Sequence, residues 1–80
     1  MRYSVFLEPI SEPGLDGFYY AHVPSLGLTT HGKGVEGALA AAQDLAAAWV
    51  LEKRTHGESL PVEHTLLVGQ IELPDAVHGT

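Results

Sequence analysis

The chain has 80 residues with a formal charge of −6, ten Asp and Glu standing against only four Lys and Arg, and no cysteine. That length holds one small domain, and the missing cysteines exclude disulfides and thiolate-bound metals. The cations Arg2, Lys33, Lys53 and Arg54 assemble no basic stripe for a phosphate backbone, so direct nucleic-acid binding is not expected. An acidic chain is instead steered toward basic partners. The start Met1-Arg2-Tyr3-Ser4 lacks the apolar core of a signal peptide and no apolar run reaches membrane-spanning length, so a cytoplasmic protein off the membrane is expected.

Residues 3–8 alternate well enough for a first strand, with Tyr3, Val5 and Leu7 on one face. Residues 9–17 hold Pro9, Pro13, Gly14 and Gly17 with the acids Glu12 and Asp16, the composition of a hairpin loop. The second strand runs over Phe18–Val23, with Tyr19, Ala21 and Val23 on one side and Phe18, Tyr20 and His22 on the other. Residues 28–31 form a short third strand, joined by a connection too brief for anything but an antiparallel neighbour.

A helix follows, beginning near Val35, with seven alanines between Ala38 and Ala48. Ala38, Leu39, Ala42, Leu45, Ala46 and Trp49 make one continuous apolar stripe. Glu36 complements the positive end of the helix dipole, and Lys53 and Arg54 the negative end. Gly34 stands at the expected cap, and Gly57 suits the left-handed turn that ends the helix. Residues 65–73 read as a final strand stopped by Pro74. The expected domain spans residues 1–74, followed by a frayed tail over residues 75–80. The order is β-β-β-α-β, an α+β layer with one helix on one face of an antiparallel meander.

The residues offer little catalytic chemistry. His22, His31, His56, His64 and His78 lack the spacing that sets metal ligands on one helical face. His22 and His31 can meet across adjacent strands, but ordinary surface histidines are the reading adopted, with no metal and no cofactor. Glu8 can approach Asp16 or Glu72, yet a meander with one helix offers no cleft to separate two carboxylate pKa values. The serines lack a nucleophile elbow. Gly32-Lys33-Gly34 has no Walker spacing. No enzyme is expected.

Several short motifs occur in an order that resembles the HicB-like antitoxin family. These are Glu8-Pro9, the aromatic run Tyr19-Tyr20-Ala21-His22-Val23-Pro24, Leu26-Gly27, Thr30-His31-Gly32, Glu36-Gly37-Ala38 and Gly57-Glu58-Ser59-Leu60-Pro61. The chain departs from the family pattern in three places: no proline separates Leu26 from Gly27, Gly34 replaces the cap threonine, and Gly37 replaces a second glutamate. The resemblance implies a partial ribonuclease-H-like fold without that enzyme's carboxylates. It also implies binding to a small basic HicA-like toxin that cleaves RNA, and assembly into a homodimer or homotetramer. Many family members carry a DNA-binding segment after the last strand. This sequence stops soon after it, so operator binding by the chain alone is not expected.

Strand alternation sets the expected contacts. Glu12 and Asp16 steer the basic partner, and Phe18, Tyr20 and His22 touch it. Phe6, Leu67 and Ile71 form the oligomer interface, because an open aromatic face and an open apolar edge both invite association. The competing reading is an orphan, self-assembling domain that serves as a scaffold or a small-ligand-binding oligomer. A degenerate nuclease, which would need clustered carboxylates around a divalent metal, is the third.

Overall fold

A computed structural model describes residues 1–75. Its elements are β1 (Phe6–Pro9), β2 (Phe18–Val23), a 3-10 turn (Pro24–Leu26), β3 (Leu28–Lys33) and α1 (Gly34–Thr55). The strands form one antiparallel sheet in the order β1-β2-β3. The α+β layer with three antiparallel strands and one covering helix is as expected.

The β1–β2 connection is built by turns that glycine permits. Gly14 and Gly17 have φ of +85° and +81°, the left-handed region where a side chain is strained. Leu15 N–H donates to the Glu12 carbonyl at 3.1 Å, and Phe18 N–H to the Leu15 carbonyl at 3.1 Å. The tight β2–β3 connection closes through Gly27, at φ +66°, whose N–H donates to the Pro24 carbonyl.

Register puts Leu7 opposite Ala21, and Ala21 opposite Thr30. Opposed residues of an antiparallel pair share a face. Tyr19, Ala21, Val23, Leu7 and Leu28 therefore lie on the helix side, where Leu7, Tyr19 and Leu28 pack against the buried cluster of Ala21, Val23, Leu26, Ala38 and Ala42. This core holds no large side chain that is fully buried. Alanine at positions 38 and 42 lets α1 sit close to the sheet. Closer still is the crossing at Gly32, whose missing Cβ would lie 2.6 Å from the Ala38 nitrogen and would overlap the Gly37 carbonyl group.

The helix ends as its sequence suggests. Gly57, at φ +67°, donates to the Arg54 carbonyl, and Glu58 N–H to the Lys53 carbonyl, the paired bonds of a Schellman stop. Lys53 also lies 5.2 Å from the Trp49 ring centroid and 3.4 Å from a Glu58 oxygen.

Four boundaries differ from the sequence reading. The first strand begins at Phe6 instead of residue 3, and the third runs on to Lys33. The helix begins at Gly34, with φ +68°, beside the expected Val35, so that Lys33 and not Gly34 stands at the cap. Residues 65–73 form no strand. Their alternation suits a strand, but among the described residues no ladder receives it. Along α1 the stripe is only partly covered, since Leu39 and Leu45 remain exposed beside buried Ala38 and Ala42. The sheet is too short to shield the whole helix face. Of the expected tail, all but Asp75 lies outside the described residues, and His78 with it.

Candidate interaction face

The sheet face away from α1 collects residues from all three strands. Phe6 stands opposite His22, Glu8 opposite Tyr20, His22 opposite Thr29, Tyr20 opposite His31, and Phe18 opposite Lys33. The face therefore presents three aromatic rings, two imidazoles, one carboxylate and one ammonium group on a rigid ladder. β-Branched and aromatic residues on β2 favour the extended backbone that aims alternate side chains outward.

His22 ties the three strands together across this face. Its Nε2 lies 3.0 Å from Glu8 Oε1 on β1, and its Nδ1 lies 3.1 Å from Thr29 Oγ1 on β3. A carboxylate only accepts hydrogen bonds, so the Glu8 contact places a proton on Nε2. In the neutral ring Nδ1 then accepts from the Thr29 hydroxyl. The Tyr20 and His22 rings lie 5.9 Å apart with planes tilted by 36°, and Phe18 and His31 lie 6.4 Å apart at 47°. Both separations fall within the range of favourable ring pairs. The Glu8 and Thr29 contacts link His22 to both neighbouring strands across this face.

The expected contact residues divide by position. Phe18, Tyr20, His22 and Phe6 share this one face, so Phe6 keeps company with the partner-binding set and not with Leu67 and Ile71. Glu12 and Asp16 are exposed in the β1–β2 connection, beyond the end of the sheet where β2 begins. Leu67 and Ile71 are exposed in the segment that follows α1. Glu8, considered above for a carboxylate pair, is engaged by His22. Among the described residues no group of three or more His, Asp or Glu side chains is arranged to hold a metal ion. Among them, too, no helix is long and apolar enough to cross a membrane.

One polar cluster was not foreseen. The Glu63 carboxylate accepts from the Ser4 backbone N–H at 2.7 Å, the Ser4 hydroxyl at 2.6 Å and the Ser25 hydroxyl at 3.0 Å. Tyr3 Oη donates to the Pro61 carbonyl at 2.6 Å. This clasp holds the chain after α1 against the N-terminal segment and the β2–β3 turn. The Ser4 hydroxyl, then the Ser4 N–H, hold the Glu63 pKa below the usual glutamate value, with a smaller contribution from Ser25 opposed by partial burial. Nothing in the sequence links Ser4 to a glutamate 59 positions away.

No protein-family model matches the chain, and no curated protein or solved structure is found to be similar to it.

Proposed function

We propose that the chain is a protein-binding module, a HicB-like antitoxin domain that occludes a small basic RNA-cleaving toxin and performs no catalysis of its own. The observation that carries this reading is the open aromatic and imidazole face, linked across its strands by the Glu8–His22–Thr29 contacts. Buried aromatic anchors dominate protein interfaces, and a face of this kind supplies them. The net charge of −6 supports a basic partner. The order of the motifs supports the family, and three antiparallel strands followed by a helix are compatible with part of a ribonuclease-H-like fold. Phe18, Tyr20 and His22 make the contacts, while Glu12 and Asp16 steer the partner at the rim.

Replacing Phe18 and Tyr20 together by serine tests the face. Each anchor that fills a partner pocket is worth about 2 kcal/mol or more, so the double variant is expected to bind at least about 100-fold more weakly while keeping its helical circular dichroism. Binding within a few-fold of the parent rejects this face.

A second reading, the self-assembling orphan, is favoured by a different observation. The segment after Glu63 carries exposed Leu67, Val68 and Ile71. In this reading the chain has lost its toxin and assembles with its own copies as a scaffold or small-ligand-binding oligomer.

A further inference from the structure

One carboxylate stands among the rings of the open face, and only one of its two oxygens is engaged. Glu8 lies opposite Tyr20 in the β1–β2 register, and Phe6 stands two residues before it on the same strand, so both rings border it on one face. Its Oε1 accepts from His22 Nε2 at 3.0 Å. Among the described residues no donor reaches Oε2. The Glu8 side chain is 63 % exposed and Phe6 is 42 % exposed, so that oxygen and the ring beside it are reachable from solvent.

The charge of Glu8 is also uncompensated. A neutral His22 holds Oε1, with Thr29 at its other nitrogen, and leaves the negative charge in place. Lys33 is on β3, opposite Phe18, two strand spacings or about 10 Å from β1. That is about a Debye length in physiological salt, too far to neutralise the carboxylate.

An anchored carboxylate with an unbonded oxygen and an aromatic ring on either side suits a guanidinium group. Its N–H groups donate to the carboxylate while its flat face lies against a ring. A lysine ammonium is a strongly hydrated point charge with no plane to stack. We propose that Glu8, Phe6 and Tyr20 form a subsite for an arginine side chain brought by a basic partner. The assignment rests on the protein-binding reading of this face given above and names the side chain the partner inserts. It also adds two residues of β1 to a contact set that strand alternation had confined to β2.

The test is a nuclear magnetic resonance titration of the full chain, at low ionic strength, with two blocked tripeptides: acetyl-Gly-Arg-Gly-amide and its lysine counterpart. The arginine peptide is expected to shift the Phe6, Glu8 and Tyr20 signals saturably, and the lysine peptide to bind there several-fold more weakly. Glu8→Gln keeps an oxygen that accepts from His22 but removes the charge, and is expected to weaken the arginine peptide at least about tenfold. Tyr20→Leu keeps an apolar side chain on the strand and is expected to narrow the difference between the peptides. Equal affinity for the two peptides, shifts confined to the Glu12 and Asp16 loop, no saturable shift, or unchanged binding by Glu8→Gln overturns the proposal. A chain that takes the arginine peptide at Glu8 but draws no RNA-cleaving protein from its host keeps the subsite and loses the antitoxin reading. A chain that draws such a protein equally well with Glu8→Gln keeps the antitoxin reading and loses the subsite.

Discussion

Two glycines that face each other at the start of α1 have opposite tolerances. At Gly32 an added methyl group would meet the Gly37 carbonyl and lie 2.6 Å from the Ala38 nitrogen, all backbone atoms with nowhere to move. At Gly37 it would meet the Gly32 carbonyl carbon at 3.6 Å, an ordinary contact, and the residue lies within a helix. Gly32→Ala is therefore expected to destabilise the domain by about 1–3 kcal/mol through overpacking. Gly37→Ala is expected to stabilise it by about 0.5–1 kcal/mol through helix propensity. Urea denaturation of both variants checks the pair, and equal effects would contradict the close crossing. The sequence shows Thr30-His31-Gly32 and Glu36-Gly37-Ala38 as motifs, but does not reveal which glycine the backbone demands. That depends on where the helix crosses the strand.

Among the elements, the three strands and the helix were legible because each announces itself locally. Alternation marks β2, alanine content marks α1, and the short Gly27 connection leaves β3 only an antiparallel place. The segment over residues 65–73 misled for the same reason. Alternating apolar residues state what a segment does once it has a ladder, not whether its own chain supplies one. The Glu63 clasp was illegible because its partners are brought together only by the tertiary fold. It predicts a pH dependence. Glu63 has a lowered pKa in the folded chain, so its stabilising contribution is complete above the unfolded glutamate value of about 4.3 and is lost as pH falls through the lower folded value. Thermal melts between pH 3 and 6 should show the parent losing stability at the acid end more steeply than Glu63→Gln. Parallel pH profiles would show that the clasp contributes nothing through its charge.

At the scale of the whole molecule the single chain is long and thinly cored. Its radius of gyration is 16.1 Å, against about 12 Å for a compact chain of this length, and its largest extent is 50 Å. Small domains gain much from association because their own cores barely offset the entropy of folding. The sheet face away from α1, with Phe6, Phe18 and Tyr20, is left uncovered by the helix. Of the four cations, Lys33 stands on the aromatic face and Lys53 is held between Trp49 and Glu58. Composition could not supply the assignment of Phe6 to the aromatic face, which follows from its register against His22.

The claim that this face masks an RNA-cleaving protein is tested most directly by purifying the tagged chain from its host and assaying what it retains. A small basic protein in stoichiometric amount is expected, one that cleaves RNA when freed and stops when the chain is added back. The Phe18→Ser, Tyr20→Ser chain should neither retain it nor silence it. Recovery of the chain with only its own copies, or of a partner whose activity the chain leaves unchanged, would contradict the antitoxin reading.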